Sequence, residues 1–198
     1  MAELPDLTLE PSIKYLRDSI VLMRKLLSKQ IFNSKRANNK GAPVTPLTEK
    51  NQLKCLIYVN EQYDGWKEEC LRILQSKFDA ETHTFAPENE ILEALQRSAI
   101  VQALNFQNPL KFCRPFLSFK KDEAIAHGVQ ALDLKLPFGE MEVLQENLDL
   151  IKMELGVEHV EVLSAIDLDD LAKAGPLVSL LNQSPPSPGY PTPVFLSR

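Results

Sequence analysis

Glycine is scarce in this chain, at seven of 198 residues, and neither a phosphate-binding loop nor a dinucleotide fingerprint occurs among them. Two common nucleotide cradles are therefore excluded. Cysteine is scarcer still. Cys55, Cys70 and Cys113 form an odd, widely spaced set, which suits reduced thiols in a cytosolic compartment better than a disulfide framework. His83, His127 and His159 stand isolated, and no cysteine lies near another, so the ligand spacing of a closed zinc site is missing. No G-x-S-x-G elbow or other nucleophile motif is present. The acidic pairs Glu68-Glu69 and Asp169-Asp170 read as solvated surface charge, so no catalytic residue and no metal ligand is assigned. No apolar run approaches the roughly 18 residues of a membrane span. The acidic, Pro-bearing start MAELPDLTLEP lacks the basic head and apolar core of a signal peptide.

What the chain does have is an uneven distribution of charge. Residues 13–40 hold eight of the twenty-two basic residues and one acid, Asp18, whereas the rest carries fourteen bases and twenty-six acids. A +7 segment is thus set against a −12 remainder, an asymmetry that points to a polyanionic partner. Within the segment Ile13, Leu16, Ile20, Met23 and Leu27 recur at helical spacing. Lys14, Arg17, Arg24, Lys25 and Lys29 occupy much of the remaining circumference, and Lys35, Arg36 and Lys40 follow as a basic tether. Three readings of this helix stay open on charge alone. It keeps the chain soluble, it meets a membrane surface or a calmodulin-type partner, or it contacts nucleic-acid phosphates.

The predicted fold class is α+β: a small mixed domain of a few strands with several helices, preceded by a separate basic amphipathic helix and followed by a Pro-rich tail. The helix covers residues 12–32. Residues 33–52, with Pro43 and Pro46, read as a flexible linker. Residues 53–170 form the domain. In it LKCLIYV (53–59) predicts a strand, and Asp64 caps a helix with Trp66, Cys70, Ile73, Leu74 and Phe78 on one stripe. Further helices follow Pro87 and Pro109, the latter capped by Asn108, and Gly128 ends the second. Leu132, Leu134 and Leu136 alternate as in a half-buried strand. Met141, Leu144, Leu148, Ile151 and Leu155 mark one helix stopped by Gly156, and VEHVEVLSAI supplies the next strand. Five of fourteen prolines lie between positions 185 and 193, so residues 171–198 are expected to be extended or disordered.

Long collinear stretches then carry a family resemblance. IYVNEQYDGWKEECLRILQSKF (57–78), PFLSFKKDEAIAHG (115–128), LDLKLPFGEMEVLQENLDLIKMELGVEHVEVLSAID (132–167) and the ending AGPLVSLLNQSPPSPGYPTPVFLS resemble the C-terminal region of eukaryotic, plant-like cytosolic leucyl-tRNA synthetases. LPDLTLEPSIKYLRDSIVLMRKLLSKQ (4–30) resembles the end of their anticodon-binding helical domain. The resemblance implies four parts. Residues 1–32 would be a remnant of the helical domain, 33–52 a basic linker, 53–170 the C-terminal appendage and 171–198 the tail. The His-Ile-Gly-His and Lys-Met-Ser-Lys-Ser type motifs by which the family binds ATP do not occur, and the editing domain is absent too. The resemblance thus implies a cytoplasmic C-terminal fragment, inactive as a ligase on its own. It implies no cofactor in this chain, since ATP and magnesium belong to the parent reaction. Its partner would be tRNA, leucine-specific by resemblance, and no membrane is involved. Lys14, Arg17, Arg24, Lys25, Lys29, Lys35, Arg36 and Lys40 become candidate phosphate contacts, with Lys120 and Lys121 a secondary pair. The alternative is a protein-interaction module that docks on a partner protein or, as in animal relatives, a small GTPase.

Overall fold

A computed structural model of the chain describes residues 9–39 and 53–197. They divide into two compact units. One comprises residues up to 61 together with those from 136 onward, and the other comprises residues 62–135.

The first unit is built on a three-stranded sheet. Strand β1 (Leu53–Val59) is central. It pairs in parallel with β4 (His159–Ser164), with Cys55 opposite Val160, and antiparallel with β5 (Thr192–Ser197), with Cys55 opposite Phe195. A strand buried on both faces needs a near-continuous apolar run, and LKCLIYV supplies one. Its alternate residues serve two cores. Leu53, Cys55, Ile57 and Val59 face one cluster with Val160, Val162 and Phe195. Leu56 and Tyr58 face another with Leu163, Ala174, Leu181 and Val194.

The first cluster is closed by helices. Helix α1 (Leu9–Asn39) contributes Tyr15, Ile20, Met23 and Leu27, all buried. The predicted separate helix is therefore part of the sheet-bearing unit, and its apolar stripe is covered except at Ile13. It also runs seven residues beyond the expected end at Phe32, through the first part of the expected linker. The rest of that linker, from Lys40 to residue 52, lies outside the described residues.

Other differences have local causes. The expected helix over residues 141–155 is two helices. They are α2 (Glu140–Glu146) and α3 (Leu148–Leu155), divided at Asn147, whose amide donates to the Val143 carbonyl at 2.7 Å. Gly156 ends the pair at φ 69°, a left-handed cap that glycine adopts at little cost. The expected strand at Leu132, Leu134 and Leu136 is not formed. Leu132 closes a 3-10 turn and packs with Leu134 in the second unit, whereas Leu136 belongs to the first. Alternation arose here without a neighbouring strand.

The Pro-rich tail is corrected as well. Residues 178–183 form helix α4 (Val178–Gln183), and β5 extends the sheet. Pro186, Pro188, Pro191 and Pro193 are buried. Pro193 sits in a strand with a neighbour on one side only, where a missing N–H is tolerated.

The second unit is largely helical. Helix α5 (Gly65–Ser76), a short hairpin of β2 (Phe78–Asp79) and β3 (Thr84–Phe85), α6 (Glu88–Arg97) and α7 (Pro109–His127) enclose Cys70, Leu71, Leu74, Ile91, Leu95, Cys113, Leu117 and Leu132. Asp64 takes the N-cap position of α5 without a side-chain bond, whereas Asn108 accepts from the Lys111 N–H at 3.1 Å. Cys55, Cys70 and Cys113 are unbridged and buried, and burial pushes each thiol above its ordinary pKa, so they pack as small hydrophobes.

Candidate nucleic-acid interface

Docking of α1 fixes where its cations point. At 100° per residue, Tyr15, Ser19, Ile20, Met23 and Leu27 fill the inward arc, and Lys14, Arg17, Lys25 and Lys29 lie on the opposite one. Lys14, Arg17, Arg24, Lys25 and Lys29 are all exposed. The structure sorts them further. Lys14 pairs with Asp18 one turn on, at 3.0 Å. Arg24 is tied to α3: its Nε donates to the Glu154 carbonyl at 3.1 Å and its guanidinium pairs with the Glu154 carboxylate. Among the described residues Arg17, Lys25 and Lys29 form no ion pair, so their charge is turned to solvent. Lys25 and Lys29 are about one turn apart, and Arg17 stands roughly 12 Å earlier along the axis. Lys35 and Arg36 fall on the last turns of α1, and Lys40 lies outside the described residues.

The secondary pair is divided. Lys120 is 5% exposed, pairs with Glu123 at 3.0 Å and sits over the Tyr63 and Phe119 rings, so it holds the fold and is corrected out of the candidate set. Lys121 sits over the Phe85 ring. It also lines a groove of about 250 Å³ whose rim includes Glu88, Arg114 and Asp122, a mixed-sign surface poorly suited to an anion. No three His, Cys, Asp or Glu side chains converge among the described residues. No described helix is long and apolar enough to cross a membrane.

One residue that sequence reasoning missed anchors α1. Glu140 is fully buried at the start of α2. Its Oε2 accepts from the Tyr15 hydroxyl at 2.7 Å, and its Oε1 accepts from the Gly189 N–H at 2.6 Å. Burial pushes the carboxyl up to about 7 against the pull of those two bonds. The same burial, with the neighbouring carboxylate, raises the Tyr15 hydroxyl. Tyr15 also lies against Phe138, ring centroids 5.1 Å apart. One carboxyl thus ties α1 to the turn before β5. Its partners lie 125 and 49 residues away, so no local pattern could have revealed it.

No protein-family model matches the chain. Cytoplasmic leucine–tRNA ligase of Arabidopsis thaliana is 56% identical to it over 193 residues, 98% of the chain. The chain is homologous to a C-terminal part of that ligase. The cytoplasmic leucine–tRNA ligase of Pongo abelii is 29% identical over 134 residues, 68% of the chain. The chain spans 18% of the first ligase's length and 11% of the second's.

Proposed function

We propose that this chain is a tRNA-binding appendage of a cytoplasmic leucine–tRNA ligase that grips RNA phosphates through the outer arc of α1. The observation that carries the reading is the docking of α1. Its inward residues Tyr15, Ile20, Met23 and Leu27 are buried in the first core cluster, so the cations on its other side are held in solvent on a chain whose remaining residues total −12. Arg17, Lys25 and Lys29 are the primary contacts. Lys14 and Arg24 can join by exchanging a carboxylate, exposed Asp18 and part-buried Glu154 respectively, for a phosphate, and Lys35, Arg36 and Lys40 continue the run. Each contact releases condensed counterions, and nothing in the set reads base edges. Ligation itself belongs to the parent protein in this reading, and the chain supplies affinity and position.

A low-salt titration of leucine tRNA against the full chain tests it. The wild type binds, and Lys25→Glu with Lys29→Glu weakens binding roughly tenfold or more. Equal binding by both proteins refutes the reading. The protein-docking alternative rests on uncovered apolar residues of α1, namely Leu9, Ile13, Val21, Leu22, Leu26 and Phe32, each 36–63% exposed. It predicts no RNA binding at any salt concentration.

A further inference from the structure

A ring cluster in the second unit takes no part in the phosphate contacts. Phe106 stacks on Phe112 with centroids 4.1 Å apart and planes 23° from parallel. Phe112 tilts against Trp66 at 4.8 Å, and Trp66 meets Phe116 edge-on at 5.6 Å. Rings in such a cluster are ordinarily core, yet Phe106 is 50% and Phe112 40% exposed. Phe119, two turns beyond Phe112 along α7, is 44% exposed. The stretch of chain that carries these phenylalanines is basic. Residues 94–121 contain five cations and no acid, in a unit that holds more acids than bases overall. Lys111, next to Phe112 on α7, is exposed, and the Lys67 ammonium stands 5.5 Å from the Trp66 ring centroid. Helix α5 also brings acids, of which Glu68 is taken up by Arg72.

Part-exposed aromatic rings with cations beside them match an anionic strand that carries flat rings of its own. A purely apolar protein partner would use the rings but leave the cations unpaired at its edge. A paired duplex hides its base faces, whereas unpaired bases expose them and stack on aromatic side chains. We infer that Phe106, Phe112 and Trp66 form a stacking platform for unpaired RNA bases, with Lys67 and Lys111 holding the adjoining phosphates. This rests on the RNA-binding reading above and deepens it, because it says which part of the RNA the second unit takes.

Trp66 is the chain's one tryptophan, so its emission reports the platform directly. The full chain is titrated at low salt with a single-stranded oligoadenylate and with a blunt RNA duplex of equal length. The oligoadenylate quenches Trp66 and the duplex does not. Phe106→Leu with Phe112→Leu, which keeps apolar packing and removes the π faces, weakens oligoadenylate binding at least about fivefold at unchanged far-ultraviolet circular dichroism. It leaves duplex affinity and the salt slope unchanged. Lys25→Glu with Lys29→Glu lowers the slope but keeps the quench at saturation. Saturating oligoadenylate that leaves Trp66 emission unchanged, or a double-leucine variant that binds it like the wild type, overturns the proposal and hands the rings to a protein partner. If salt-dependent RNA binding persists in that case, only the platform fails. If no RNA binds at low salt, the phosphate reading fails with it.

Discussion

Glu140 concentrates the residue-scale physics of the chain. An acid with a folded-state pKa near 7, against an ordinary 4.5, is more protonated in the folded protein than in the unfolded one at any pH between those values. Its contribution to stability is therefore present below about 4.5 and is lost as pH rises through 7. Between pH 5.5 and 8 the wild type should lose about 2 kcal/mol through this group. Glu140→Gln retains an acceptor for Gly189 and a partner for Tyr15 without the titration, so urea melts of the variant should be flatter across that window. A variant that follows the wild-type pH dependence would contradict the assignment.

Among elements, α1 decides the most. If it is docked as described, Leu27→Ala empties a fully buried site and should cost about 2–5 kcal/mol in global unfolding. Ile13→Ala, at a residue 46% exposed, should stay within roughly 0.5 kcal/mol. A helix loose from the sheet would give small effects at both. Strand β5 makes a second test. Deleting residues 184–198 strips one side of β1, leaving unpaired backbone beside an apolar strand, and should yield aggregation in place of cooperative unfolding. Both elements show what the sequence could and could not disclose. The periodicity of α1, the apolar run of β1 and the glycine after Leu155 are local signals, and each marks an element that is present. The surface that covers α1 is not local, since Glu140 and Glu154 lie more than a hundred residues away along the chain. The tail misled because proline content was weighed above TPVFLS, whose Val194 and Phe195 are both buried. Of the candidate cations, position along the helix was legible. Which ones are already paired, as Lys14 and Arg24 are, depended on geometry.

At the scale of the whole molecule, a negatively charged chain carries one cationic helix arc, and 98% of it aligns with 18% of a homologous ligase. Under the proposed reading, phosphate contacts by α1 provide the affinity for tRNA. The most direct measurement is the dependence of log K on log salt concentration for leucine tRNA, with the full chain and with the Arg17→Glu, Lys25→Glu, Lys29→Glu variant. Each lost contact removes about 0.7–0.9 from the slope, so the variant's slope should be shallower by roughly 2–3. Parallel lines for the two proteins would contradict the account.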